Sequence, residues 1–541
     1  MTLSSVSLER LQSDLPLHQV SFLYLSIPLT KAMNMEPQSQ VQSDPSIEAH
    51  MSSTRTVSSG PLEIPGLTRC SLSLSSRAAS HSLSSKLVIV MVGLPARGKS
   101  FIAKKLARYL NWIQHETRVF NAGERRRRTV LISAQNSTIP SQSSAGFFDP
   151  NNPLFVSRRD EIALGVLDDL LDWITEGRGS VGILDATNST RERRRLVLDR
   201  IRRRAGPNLG VLFLESRCCD EAILEKNFRL KLFGPDYESQ NPEEALHDFK
   251  RRVALYEQAY ATLGETEGEE MAAYVQVIDI GRKMTTNRIR GFLSTQVVEY
   301  MLGFNLVERQ LWISCGGESL DDAAGRIGRN SDLSQNGRKY AAALTRFIEE
   351  QRKIWEQRNG TSSRQAYNSR TTPNSKQDLV EGSEFYIWTS MMPQTIQTAS
   401  AFPDNMYMKT EMKMLDDLNA GDLAGLTFEE IAEKHPKVYA ARKKHKMLYR
   451  WPGFGGEAYV DVIHRLKPVI MELERMKEHL LIISHRAVVR VLLAYFLDLH
   501  RADLPGMVIP KDWAYLLELV STAHSTSHHS RSFRDQQGLG H

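Results

Sequence analysis

The run Leu87-Val-Ile-Val-Met-Val92 is continuously apolar and bounded by turn residues, which predicts a strand buried on both faces, as in a parallel sheet. Gly93 to Gly98 then turns the chain. Phe101, Ile102, Ala103, Leu106 and Leu110 recur at helical spacing over Ser100 to Leu110. Further strand-type runs lie at Val119 to Asn121, Val181 to Leu184, Val211 to Leu214 and Val275 to Ile280. Helical patterns separate them, including Arg159 to Thr175 and Pro242 to Leu263. Strands alternating with helices over about 200 residues predict a doubly wound, mostly parallel α/β domain.

A second α/β pattern starts near Gln310. Its strand candidates are Leu311 to Ser314, Phe385 to Thr389 and Leu480 to Ser484; its helical stretches are Asn336 to Arg352, Tyr459 to Glu478 and Arg486 to Leu499. The polar stretch between Trp355 and Asp378 reads as a surface insertion. Residues 1–84, rich in Ser, Thr, Pro and Gln, and the His- and Ser-rich residues 523–541 predict disordered tails. The expected organisation is thus a first domain over 85–305 and a second over 306–522, with an insertion near 355–380.

Composition excludes several classes. At 41% hydrophobic and 24% charged, the 541-residue chain is not disordered throughout, collagen-like or polytopic in a membrane. The apolar stretch Val20 to Leu29 is too short to span a bilayer, and no basic segment precedes it, so a cytoplasmic protein without membrane attachment is expected. A formal charge of +6 is mild for a nucleic-acid binder. Cys70, Cys218, Cys219 and Cys315 are too few for a disulfide scaffold and match no zinc spacing; reduced thiols are the expectation. Arg55-Thr-Val-Ser58 has the form of a basic-directed phosphorylation site, which would make a protein kinase a partner of the N-terminal tail.

Gly93-Leu94-Pro95-Ala96-Arg97-Gly98-Lys99-Ser100 fits G-x-x-x-x-G-K-[ST], placed after a strand and before a helix as a P-loop requires. Backbone N–H groups and the helix N-terminus then face one anionic site. Lys99 would neutralise the β- and γ-phosphates of ATP, and the Ser100 hydroxyl would ligate Mg²⁺. Asp185, ending the run Val181-Gly-Ile-Leu-Asp185, would hold Mg²⁺ or its water, or accept a proton from an attacking hydroxyl; its other reading is a helix N-cap. Three basic clusters, Glu124-Arg-Arg-Arg-Arg128, Arg191-Glu-Arg-Arg-Arg195 and Lys250-Arg251-Arg252, share the P-loop domain. Charge runs are commonly solvated faces, yet two of these follow strands, where open α/β sheets bind ligands. A second anionic substrate such as a sugar phosphate would use such guanidinium forks, whereas single-stranded nucleic acid would want interleaved aromatics that these runs lack.

Together with Val119-Phe-Asn-Ala-Gly123, Asp185-Ala-Thr-Asn188, Thr190-Arg-Glu-Arg-Arg194 and Gly234-Pro-Asp-Tyr237, these motifs resemble the 6-phosphofructo-2-kinase/fructose-2,6-bisphosphatase family over residues 86 to about 520. The resemblance implies an N-terminal P-loop kinase joined to a histidine-phosphatase fold. The kinase would make fructose 2,6-bisphosphate, a regulator of glycolysis and gluconeogenesis, from ATP and fructose 6-phosphate. It also allows a homodimer. It assigns Lys231 to the transferring phosphoryl group and places Cys218 near the active site. Arg126, Arg127, Arg159, Thr187, Arg193, Arg252 and Tyr256 match the fructose 6-phosphate positions.

The second domain departs from the resemblance. The family's Arg-His-Gly-Glu-Ser aligns with Cys315-Gly316-Gly317-Glu318-Ser319, so the nucleophile position is Gly316 and its paired arginine is Cys315. Gln394 stands at another arginine position, and Ala424 and Gly425 at two glutamate positions that include the general acid. Arg326, Glu318 and His485 remain. The expectation is a folded domain with negligible phosphatase activity, Cys315 being at the wrong position to replace the nucleophile. Two rival readings stand beside this one: a different P-loop small-molecule or polynucleotide kinase, and a non-catalytic pseudoenzyme that binds nucleotide and sugar phosphate.

Overall fold

The computed structural model describes residues 21–26, 86–133, 145–264, 273–359 and 385–519, apart from residues 178, 235, 238, 239, 329 and 501. Among them are two six-stranded sheets. The first strand in the chain, β1 (Ser21–Ser26), belongs to the second sheet. The first sheet contains β2 (Leu87–Val92), β3 (Thr117–Asn121), β4 (Val181–Asp185), β5 (Gly210–Arg217), β6 (Ala273–Ile278) and β7 (Lys283–Asn287), in the order β3-β4-β2-β5-β6-β7. All its pairs are parallel except β6 with the edge strand β7.

Every residue of the central strand β2 is buried. Leu87, Ile89 and Met91 enter one apolar cluster; Val88, Val90 and Val92 enter another. Such two-sided burial explains why the run is apolar without alternation. The covering helices are α1 (Lys99–Trp112), α2 (Ala122–Ser133), α3 (Pro153–Glu176), α4 (Arg191–Ala205), α5 (Glu221–Leu232), α6 (Pro242–Gln258) and α7 (Phe292–Leu302). Helix α3 starts before the predicted Arg159, because Asn152 caps it through Leu154 N and Phe155 N and Pro153 fits the first turn. Helix α6 stops short of the predicted Leu263, whose N–H instead donates to the buried carboxylate of Glu215. Thr190, not Asp185, caps α4.

The second sheet runs β1-β12-β8-β11-β9-β10, with β8 (Arg309–Cys315), β9 (Phe385–Thr389), β10 (Met408–Glu411), β11 (His479–Ser484) and β12 (Trp513–Leu519). Strands β8 to β11 pair in parallel, while β12 and then β1 add antiparallel. Four helices of this domain enter the argument: α8 (Gln335–Asn359), α9 (Pro393–Ser400), α10 (Tyr459–Arg475) and α11 (Arg486–Phe496). One apolar cluster joins both domains, running from α1 and α7 into α10 and α11.

Two expectations need correction. The predicted disorder over 1–84 is interrupted by β1, whose backbone pairs Ser21 to Ser26 with Glu518 to Trp513 and so occupies the edge that β12 would otherwise leave open. The predicted insertion begins too early, since α8 continues to Asn359 with Trp355 edge-on to His479 at 5.4 Å. The rest of that insertion, Arg55 to Ser58, Cys70 and residues 523–541 lie outside the described residues. No helix among the described residues is long and apolar enough to cross a membrane.

Candidate active site

The P-loop leaves the end of β2, where its neighbours β4 and β5 diverge in connectivity, the usual ligand crevice of an open α/β sheet. Two glycines are needed there. Gly93 has φ +135° and a Cβ on it would fall 2.5 Å from Ser216 O; Gly98 has φ +81° at the entry to α1. The Ser216 hydroxyl donates to Arg97 O, and Gly93 N–H to Thr187 O at 3.0 Å, which ties the loop to its neighbouring segments. Lys99 Nζ reaches back to Leu94 O at 2.6 Å.

A cleft of about 2180 Å³ opens above the loop. Pro95, Ala96, Arg97, Gly98, Lys99 and Ser100 line it, as do Asp185, Thr187, Cys218, Lys231, Arg126, Arg127, Arg159, Arg193, Arg252 and Tyr256. Gly93 and Leu94 are not among the lining residues; they act beneath the loop through the contacts just given. The structure thus brings the sequence-predicted kinase residues into one place, although they come from seven separate segments.

Asp185 is buried and accepts a hydrogen bond from Asn121 Nδ2. It and Ser100 supply one carboxylate and one hydroxyl oxygen to the same cleft. This sparse, all-oxygen donor set suits Mg²⁺, which keeps waters and takes its remaining ligands from phosphates. Burial pushes Lys99 down to about 7, against the opposing pull of Asp185. A triphosphate favours the charged amine, so nucleotide binding should draw a proton onto Lys99 above neutrality. We expect ADP affinity to be flat below about pH 7 and to fall by up to about tenfold per unit above it, with proton uptake visible by calorimetry in two buffers of different ionisation heat. A pH-independent affinity between 6 and 9 would contradict this protonation state.

The arginines converge on a second part of the cleft. Arg126 Nη2 lies 2.6 Å, Arg252 Nη1 3.2 Å and Arg127 Nη1 3.6 Å from the carboxylate of Asp236. The Arg252 guanidinium sits 3.8 Å above the Phe148 ring, which also stacks toward Tyr256. Arg193 pairs with Asp160, and Arg159 donates to Phe147 O. Burial lowers Arg193 to about 10. The buried Nε–H groups of Arg193 and Arg252 have no hydrogen-bond partner. A fan of guanidiniums with unpaired donors is built for an anion richer in acceptors than one carboxylate. Asp236, Asp160 and Phe148 were not singled out from the sequence. Asp236 stood in view within Gly234-Pro-Asp-Tyr237, but nothing in its spacing marked it as the shared counter-ion. Arg97, also at the cleft wall, pairs with Glu257 at 3.2 Å.

A family model described as 6-phosphofructo-2-kinase matches residues 75–308, and one described as the histidine phosphatase superfamily (branch 1) matches residues 377–525. Among curated relatives, a probable 6-phosphofructo-2-kinase of Schizosaccharomyces pombe is 41% identical over 486 residues, covering 84% of this chain and 71% of its own. The 6-phosphofructo-2-kinase/fructose-2,6-bisphosphatase 3 of Homo sapiens is 38% identical over 427 residues, 79% of this chain and 73% of its own. The chain belongs to the 6-phosphofructo-2-kinase/fructose-2,6-bisphosphatase family. The 6-phosphofructo-2-kinase 1 of Saccharomyces cerevisiae is 46% identical over 457 residues, and the chain spans about half, 53%, of that relative's length.

In the second half of this family member, Cys315, Gly316, Gln394 and His485 meet where β8 and β11 end side by side. The Gln394 amide lies 2.8 Å from His485 Nδ1, and Ser390 Oγ lies 2.8 Å from Nε2, so both ring nitrogens are engaged by neutral side chains. Burial lowers the His485 pKa and keeps the ring neutral. Burial also pushes the Cys315 thiol up to about 12, far from a reactive thiolate. Glu318 is engaged by Lys511 at 3.1 Å and Ser334 at 3.0 Å, and Arg326 is exposed. Ala424 packs close to Gly328, and Gly425 has φ +91°.

Proposed function

We propose that this chain transfers the γ-phosphoryl group of ATP to the 2-hydroxyl of fructose 6-phosphate, and that its second domain hydrolyses no fructose 2,6-bisphosphate. The observation that carries the first half is the single cleft holding a P-loop, an acid at the end of the adjacent strand and a fan of substrate-facing arginines. Lys99 and the P-loop N–H groups hold the β- and γ-phosphates, and Lys231 meets the charge that develops on the transferring group. Ser100 and Asp185 would hold Mg²⁺ together with the nucleotide, and the ion would supply charge neutralisation at the phosphate oxygens. Arg126, Arg127, Arg193 and Arg252 fix the sugar phosphate so that its 2-hydroxyl lies in line with the γ-phosphorus.

The test is purified protein with Mg·ATP and fructose 6-phosphate. An acid-labile product supports transfer to the anomeric 2-hydroxyl; an acid-stable one, or none, refutes it. Arg193→Ala should raise the KM for fructose 6-phosphate by about 10- to 100-fold and leave that for ATP within about twofold, since a charge-assisted contact to one substrate is lost. Equal weakening of both substrates would remove Arg193 from the sugar subsite.

The phosphatase half of the reading is supported by the absent side chain at Gly316, the neutral His485–Gln394 pair and the protonated Cys315. The fungal relatives above are named for the kinase alone, and the phosphatase-family match begins at residue 377, after the strand that ends in Cys315.

A further inference from the structure

Helix α1 begins at Lys99 and Ser100 and, within three turns, presents Lys105 and Arg108, which are not among the residues lining the cleft. Both cross to the second domain. Lys105 Nζ lies 2.9 Å from Glu474 Oε2 and Arg108 Nη2 3.1 Å from Glu474 Oε1. Tyr495 Oη donates to the same Oε1 at 2.6 Å, and Tyr300 Oη stands 3.3 Å from Tyr495 Oη. Glu474 is 3% exposed, and the Arg108 guanidinium lies 4.5 Å over the Tyr495 ring. One turn further, Trp112 Nε1 donates to Val491 O of α11. Just past Glu474 the chain turns back toward the cleft: Asn305 Nδ2 holds the carbonyls of Glu474, Arg475 and Met476 at 2.7, 3.0 and 2.9 Å, and Lys477 lines the P-loop cleft beside Asn305.

We infer that Glu474 is a positioning residue for the kinase: from the catalytically silent domain it fixes the helix whose first turn carries Lys99 and Ser100. This rests on the kinase reading above. A single helix behaves as a rod, so loosening it at Lys105 and Arg108 shifts its N-terminus, and a displacement of about 1 Å at reacting groups can lower a rate by roughly 100-fold. The carboxylate is shared by two buried cations and one hydroxyl, so its geometry is fixed from three sides. That is more than a domain contact needs if it has only to exclude water. The arginine fan sits on other elements, which separates the two substrate subsites in a test.

The test uses the full chain. Glu474→Gln keeps the shape and removes the charge. We expect kcat to fall by about 10- to 100-fold and Mg·ADP binding to weaken, with the KM for fructose 6-phosphate within about threefold of wild type. Glu474→Asp, which keeps the charge, should recover part of kcat. Because Glu474→Gln strands two buried cations, the triple variant Lys105→Met, Arg108→Met, Glu474→Met provides a version that preserves volume without unpaired charge. It should melt cooperatively and still show the low kcat. Wild-type kcat and wild-type Mg·ADP affinity in either folded variant would overturn the inference. So would a parallel loss in the KM for fructose 6-phosphate, which marks general loosening. A wild-type protein that binds Mg·ADP but makes no sugar bisphosphate defeats the kinase reading instead, and the ADP affinities of the variants still report on Glu474.

Discussion

Lys99→Ala is expected to lower kinase turnover by at least about 1000-fold while leaving the folded state at least as stable near pH 6 as the wild type. Removing a single preorganised donor from a site of developing negative charge commonly costs 100- to 1000-fold, and Lys99 adds a full charge to that role. Its stability effect has the opposite sign. Burial holds Lys99 near 7 in the folded protein against 10.5 for an ordinary lysine. The folded state therefore resists the proton. The penalty is absent well above pH 10.5, grows as pH falls toward 7 and is constant below 7. Deleting the amine removes that penalty, which offsets the lost packing of its methylenes. The paired measurement is a coupled assay beside thermal melts at pH 6 and pH 9. An inactive variant that melts normally supports the phosphate-binding role. Normal turnover would remove the P-loop from the mechanism, and an unfolded variant would make Lys99 structural.

What could be read from the chain tracks how local each feature is. The P-loop was legible because strand, turn and helix follow one another between Leu87 and Leu110, and the physics of the site is contained in that stretch. The arginine clusters were visible as clusters, but which guanidiniums turn inward depends on Asp236, Asp160 and Phe148, contributed by other segments. Lys105 and Arg108 look like ordinary charges on an amphipathic helix, and Glu474 like one more acid in α10; only the packing of two domains buries them together. Strand β1 was missed for a related reason. The apolar stretch Val20 to Leu29 was visible, but six residues do not announce a strand by themselves, and their pairing is decided by the open edge of β12 almost five hundred residues later in the chain. The second-domain departures are proposed from motif positions alone, where Gly316, Cys315, Gln394 and Ala424 stand against the resemblance. The geometry adds that Gln394 lies 2.8 Å from His485 Nδ1, at the position where the resemblance leads one to expect an arginine.

The second large expectation concerns that domain. Hydrolysis of fructose 2,6-bisphosphate by the wild-type chain should fall at least about 10⁴-fold below its kinase turnover, because loss of a nucleophile removes the covalent route and the remaining groups act only as a unit. Incubation with substrate labelled at the 2-phosphate, followed by an alkaline denaturing quench in which phosphohistidine survives, should give no labelled protein; a labelled phosphoenzyme would overturn the assignment. Gly316→His alone should not restore activity. A Cβ at that position would lie 3.1 Å from Thr395 Cγ2, which must give by a few tenths of an ångström, and 3.6 Å from Gln394 Cγ, in ordinary contact with the side chain that bonds His485. The imidazole would also find Cys315 and Gln394 where phosphate needs two cations, and no acid at Ala424. A carboxylate at Gly425 would be strained by its φ of +91°. Rescue should therefore require Cys315→Arg, Gly316→His, Gln394→Arg and Ala424→Glu together. A single substitution that revives hydrolysis would mean that phosphate is still bound by groups other than these, and that the site lost its nucleophile and little else.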